Sequence, residues 1–224
     1  MGVSLQGHLP SNDNFGYNLM VGNGDCAKPE NNPYKWFYGD VYYKFFHKRL
    51  IIDFYADYEK LIWVPDWHND RQMNKVLVAY SVPKFTIGFE GFTNRLLNDD
   101  IATRLDGVTK DTIITRRKSL SLFTRGKLYK NMLGFFIRYD SYNIGGKDNN
   151  SVYKSYESQT AFYDQCTRQQ FVTFGIDYSP YRNIHIMPNM WYEHYTNIAG
   201  ANFGPDNDGY DLIYRLTISY QFNQ

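Results

Sequence analysis

The sequence predicts an all-β fold: an antiparallel up-and-down transmembrane β-barrel, with residues 1–224 forming one outer-membrane domain. Three observations predict it. Long segments alternate apolar and polar residues with a period of two, the mark of strands with one apolar face. Mean hydropathy is low, −0.55, although 18% of residues are aromatic, as expected where a polar face dilutes an apolar one. Short and long connections alternate along the chain, matching tight periplasmic turns and long extracellular loops.

Eleven segments read as strands: 2–9, 14–23, 36–46, 49–62, 73–82, 84–95, 115–127, 132–143, 168–178, 183–195 and 209–222. Most have the roughly 10 residues that a tilted strand needs to cross a bilayer, so the chain holds about 10–12 strands and either closes alone or belongs to a larger barrel. In 49–62, Leu50, Ile52, Phe54, Ala56 and Tyr58 share one face, and Ile51, Asp53, Tyr55, Asp57 and Glu59 the other. Strand 73–82 has no clear phase. In 84–95, Phe85, Ile87, Phe89 and Gly91 oppose Thr86, Gly88, Glu90 and Phe92. In 132–143, Leu133, Phe135, Ile137 and Tyr139 oppose Gly134, Phe136, Arg138 and Asp140. The last strand sets Leu212, Tyr214, Leu216, Ile218, Tyr220 and Phe222 against Asp211, Ile213, Arg215, Thr217, Ser219 and Gln221. Its terminal aromatic suits the signal read by barrel-assembly machinery, although Asn223 and Gln224 follow it.

The short connections are 10–13, the His47–Lys48 pair, 82–84, 128–131 and 179–183; the long ones are 25–35, 64–72, 96–114, 144–167 and 197–208. Trp36, Trp63, Trp67 and Trp191 fall near long-loop ends. Phe45, Phe46, Tyr129, Tyr178, Tyr181, Tyr220 and Phe222 fall near short turns or the terminus, which predicts two aromatic girdles at the headgroup levels. No run of apolar residues is long enough for a membrane-spanning helix. A net charge of +1 carries no nucleic-acid signature. The first fifteen residues lack a basic segment followed by an apolar one, so no signal peptide is read there. Eleven strands ending at the periplasmic side would start residues 2–9 on the extracellular side, which points to a missing strand or to a 2–9 segment outside the wall.

The stretches 15–24, 35–46, 50–59, 131–143, 169–180 and 183–193, above all Asn183, His185, Met187, Pro188, Asn189, Trp191 and Tyr192, resemble the porin-like outer-membrane proteins of Bacteroidota. That group is similar to the phosphate-selective porin O/P family. The resemblance covers nearly the whole chain. It implies a Gram-negative outer-membrane channel, outer-membrane lipid as surroundings, small hydrophilic solutes or ions as cargo, and a homotrimer.

The face opposite the apolar one supplies the pore-lining candidates: Asp40, Lys44, Asp53, Asp57, Glu59, Glu90, Arg117, Arg125, Arg138, Asp140, Asp177, His185, Asn189 and Arg215. With Glu193 and Asp211, carboxylates outnumber bases, so a mixed, mildly acidic lumen is expected, or one with separate acidic and basic walls. A turn at His47–Lys48 sets Asp40 diagonal to Asp53 and Asp57, either attracting a cation or joining a network with Lys44. Inward Tyr55, Phe92 and Phe136 would help to fill a narrow lumen.

No catalytic site, metal site or cofactor is expected. Asp57 and Glu59 have the residue types of a glycosidase pair, but such pairs are common on polar strand faces. His8, His47, His68, His185 and His194 lack metal-ligand spacing, and the hydrolase and metalloprotease motifs are absent. Cys26 and Cys166 fall in long loops, where a disulfide is permitted but not implied; Asn149–Ser151 matches a glycosylation pattern. A diffusion channel is the expected function. The alternatives are a plugged barrel that binds through its loops and a soluble all-β binding protein.

Overall fold

The structure, a computed structural model, describes residues 2–24, 32–143, 153–158, 167–197 and 209–222. These form one sheet of twelve strands: β1 (Gly2–Leu9), β2 (Asn12–Gly22), β3 (Trp36–Phe45), β4 (Leu50–Val64), β5 (Trp67–Val82), β6 (Phe85–Arg104), β7 (Lys110–Tyr129), β8 (Leu133–Asn143), β9 (Tyr153–Ser158), β10 (Thr167–Tyr181), β11 (Ile184–Asn197) and β12 (Gly209–Tyr220). The wall runs β1 to β8, then β10, β11 and β12, every pair antiparallel; β9 stands off this path and pairs with β6. Among the described residues β1 and β12 end the order, and no pairing joins them. Segment 2–9 is a wall strand, held along β2.

Register turns the alternation of each strand into two continuous surfaces. One line of partners reads Tyr43, Ile52, Val78, Phe89, Leu122, Tyr139, Val172, Tyr192 and Leu212, apolar or aromatic from β3 to β12. The next line, one residue along, reads Tyr42, Asp53, Leu77, Glu90, Ser121, Asp140, Phe171, Glu193 and Asp211. The apolar face is uncovered: Phe54, Ile137 and Leu216 are 48%, 46% and 64% exposed. The buried apolar side chains among the described residues are Leu96, Leu97, Ala102 and Ile113, far fewer than a sandwich core of this length requires.

Three long connections expected from the sequence are shorter in the structure. Residues 65–66 alone join β4 to β5, 105–109 join β6 to β7, and β9 lies within 144–167. The reason is physical. In the extensions one face packs apolar and polar side chains alike, Leu96, Ile113, Thr115 and Arg117 all being buried, so the hydropathy period vanishes while backbone pairing continues. β6 and β7 run 20 residues each, about twice the 9–11 that a bilayer needs, and their extension gains β9 as a third strand through Asp100–Arg104.

At the other end the turns stay tight. Phe45 pairs with Leu50, which is the register set by a His47–Lys48 turn, but residues 46–49 all belong to the connection. Phe46, His47 and Lys48 adopt left-handed φ values of 52°, 58° and 66° in succession, a conformation that costs an L-residue about 1–2 kcal/mol.

Aromatic side chains expected in a girdle are exposed at one end. Phe46, Tyr129, Tyr181 and Phe222 are exposed at the short-turn end. Trp36 and Trp191 instead lie on the polar face, paired with Glu59 and with Thr173 and Ile213. Their positions near strand ends suggested headgroup contact, but the parity of β3 and β11 turns them the other way.

Candidate functional site: the polar face of the wall

The pairing lines place Asp40, Lys44, Asp53, Asp57, Glu59, Glu90, Arg117, Arg125, Arg138, Asp140, Asp177, His185, Asn189 and Arg215 on one face of the sheet, opposite the apolar band. Strands of outer-membrane barrels tilt by about 35–45°, which makes a pairing line in such a wall a spiral rather than a level ring. Asp53, Glu90, Asp140, Glu193 and Asp211 follow one such spiral from β4 to β12.

On β3 and β4, Asp40 pairs with Tyr55, flanked diagonally by Asp53 and Asp57 as the sequence indicated. Asp57 is buried; it accepts the Tyr55 hydroxyl at 2.7 Å and the Met73 N–H at 3.1 Å. Glu59 is 3% exposed and lies 3.8 Å from the Arg71 guanidinium. Lys44 sits 5.0 Å over the Tyr42 ring rather than on a carboxylate. Asp53 Oδ1 is enclosed without a hydrogen-bond partner among the described residues.

Two basic residues were missing from the sequence reading. Lys75 is 3.6 Å from Glu90 and 5.3 Å over the Tyr55 ring, and Arg71 faces Glu59. Both lie on β5: Lys75 shares its face with Leu77 and Ala79, so hydropathy shows no phase there, and Arg71 lies in the stretch 64–72 that read as a connection. Only registration against β4 and β6 places them. Arg117, Arg125 and Arg138 follow on β7 and β8, beside β6 with its Glu90 and separated from the acidic β3–β4 pair by β5 and β6. Arg138 donates to Asp140 at 2.8 Å, and Arg117 is buried.

Further round, His185 Nδ1 and the Asp177 carboxylate share a hydrogen bond at 2.9 Å. Arg215 lies 4.0 Å over the Trp191 ring, and Asn189 donates to the Met187 carbonyl at 2.9 Å. A cavity of 1060 Å³ at the short-turn end is lined by Arg125, Phe136, Asp177 and His185.

Three aromatic residues of this face, Tyr42, Phe123 and Phe136, lie down rather than project. Gly88 pairs with Phe123 and Gly16 with Tyr42, and a Cβ on either glycine would fall inside the partner ring. At Gly175 a Cβ would stand 2.5 Å from the Phe136 ring. Phe136 therefore covers its cross-strand glycine instead of filling the space in front of the wall. Crowding lies at the long-connection end, where Asp57, Glu59, Leu96, Thr115 and Arg117 are all buried.

No group of metal-ligating side chains stands out among the described residues. Cys26, Cys166 and Asn149–Ser151 lie outside the described residues.

No family model matches the chain, and no curated protein matches it in sequence. Among solved structures it is similar to the anion-selective porin from Comamonas acidovorans, with a TM-score of 0.65 and 10% identity. The match covers 99% of this chain and 59% of that one. The chain thus spans about three-fifths of that porin's length, and at this identity the likeness is one of fold: this chain forms an antiparallel porin-like wall.

Proposed function

We propose that the chain, as a single domain, forms the wall of a passive diffusion channel in a Gram-negative outer membrane. It carries small hydrophilic solutes or ions without chemical turnover. One observation carries this reading: of two adjacent pairing lines across β3 to β12, one is apolar or aromatic and half-buried to exposed, and the next carries Asp53, Glu90, Asp140, Glu193 and Asp211. An uncovered apolar line suits hydrocarbon, and the charged line suits a water-filled lumen.

The pore-lining set is then the predicted residues with Arg71 and Lys75 added. Lys75 and Arg71 offset Glu90 and Glu59, so the lumen is nearly balanced, with a weak cation preference along the Asp53–Asp211 spiral. The anion selectivity in the neighbour's name is not carried over, because the shared feature is the fold. Membership of the Bacteroidota porin-like group, insertion by barrel-assembly machinery through β12, and a homotrimer belong to the same proposal.

The buried charges at the long-connection end favour a second reading, a mouth narrowed until the barrel serves through its loops. Single-channel conductance in a planar bilayer, with reversal potential under a salt gradient, tests both. Steady conductance with slight cation preference is expected. Insertion without conductance would favour the narrowed mouth, and a monodisperse protein in plain buffer that never inserts would end the membrane reading.

A further inference from the structure

The five short turns occupy residues 10–11, 46–49, 83–84, 130–132 and 182–183. They hold Lys48, Arg49, Lys84, Lys130 and Arg182, and no Asp or Glu. All five cations are exposed, and none makes an ion pair with a described residue. At the opposite end the tight connections carry Asp66 and Asp106, and neither holds a Lys or Arg. The described short turns are therefore basic, and the two described connections at the other end are not.

The cations also stand at a defined depth. Phe46 precedes Lys48 in the same turn, and Tyr129 and Tyr181 immediately precede Lys130 and Arg182. These rings are 68%, 57% and 69% exposed, and Lys130 lies 5.3 Å over the Tyr129 ring. Amphipathic rings settle at the headgroup level of a bilayer. A Lys or Arg within one or two residues of them reaches headgroup phosphates; Lys84 and Arg182 also border the cavity on the polar face, and Lys48 and Lys130 stand clear of it.

The geometry points to a basic–aromatic collar at the short-turn rim that binds anionic phospholipid headgroups of the facing leaflet. The ligand chemistry is a lipid phosphodiester, held by several cations at once. This rests on the membrane reading above. Each cation near an anionic surface strengthens attraction by about fivefold, so even partial engagement gives roughly a tenfold preference for anionic lipid. Salt weakens it within a Debye length.

The full chain is refolded into phosphatidylcholine vesicles with and without phosphatidylglycerol, then extracted in mild detergent, and its retained lipid is quantified. Enrichment of phosphatidylglycerol by about tenfold, falling as salt rises, is the expected result. The K48Q/R49Q/K84Q/K130Q/R182Q variant should insert and retain both lipids equally. The salt series on the unaltered chain needs no variant, and so stands even if the fivefold variant fails to fold. Equal retention by the unaltered chain, or displacement of the lipid by an equal concentration of inorganic phosphate, would overturn the collar while leaving the channel proposal intact. Failure to insert into phosphatidylcholine alone would overturn the membrane reading itself.

Discussion

Replacing Ile137 by arginine tests the apolar band where the wall offers its own control. Ile137 pairs with Thr124 and Phe174 on the exposed apolar face, and the next residue, Arg138, already places a guanidinium on the other face. β8 begins at Leu133. At about 3.3 Å per residue and a tilt of about 40°, Ile137 stands roughly 10 Å above the short-turn end, near the middle of a band about 25 Å tall. A lipid-facing Arg at that depth costs about 2–4 kcal/mol, or about 30- to 1000-fold in the folding equilibrium. The reciprocal change, Arg138→Ile, loses a 2.8 Å bond to Asp140 from a side chain that is 48% exposed. It should cost only about 0–1 kcal/mol. Both are measured by urea titration of folding into thin-bilayer vesicles, read as the gel-mobility difference between folded and unfolded chain. If Ile137→Arg is neutral, or merely makes the protein more soluble in plain buffer, the face meets water and the membrane argument fails.

Gly88→Val should displace Phe123 from the wall, costing about 1–3 kcal/mol by overpacking and lowering conductance; adding Phe123→Ala should restore conductance, and a single variant with unchanged current would show that the ring has room elsewhere. His47→Gly removes one of three consecutive left-handed L-residues and should raise stability by about 0.5–1 kcal/mol in the same titration, whereas a loss would mean that the side chain contributes contacts at the turn. Asp53→Asn, on the spiral of carboxylates, should shift the reversal potential toward anions, and an unchanged potential would remove Asp53 from the ion path. At the β6–β7 tip, the Thr109 hydroxyl and the Val108 and Thr109 N–H groups hold Asp106 down to about 2 from its usual 3.8. A depressed folded value means that the tip gains order from the carboxylate above the ordinary range and loses it as pH falls through about 2. The carboxyl carbon shift of Asp106 should report that midpoint, and a midpoint near 3.8 would show the three hydrogen bonds to be absent in solution.

The local period of two was enough to establish strand type, face and polarity. Every charged residue assigned inward by alternation, from Asp40 on β3 to Arg215 on β12, lies on the polar face, because a period of two leaves only two choices and a lipid-facing charge is costly. The tight turn at His47–Lys48 also set the β3–β4 register, and with it the Asp40, Asp53 and Asp57 diagonal. Alternation could not place Lys75, because β5 carries apolar residues on both faces and only pairing with β4 and β6 sets its phase, nor Arg71, which lies in the stretch 64–72 that read as a connection. It could not see the extensions of β6 and β7 or the addition of β9, because the buried face there mixes Leu96 and Ile113 with Thr115 and Arg117 and leaves no hydropathy period. Whether an inward ring fills the lumen or lies flat was equally hidden. Phe136 and Phe123 fold over glycines on neighbouring strands, and those contacts exist only once register brings Gly175 and Gly88 opposite them. Sequence thus determined which face each residue takes, a property of one strand; the tertiary structure decided which residues meet, a property of the pairs.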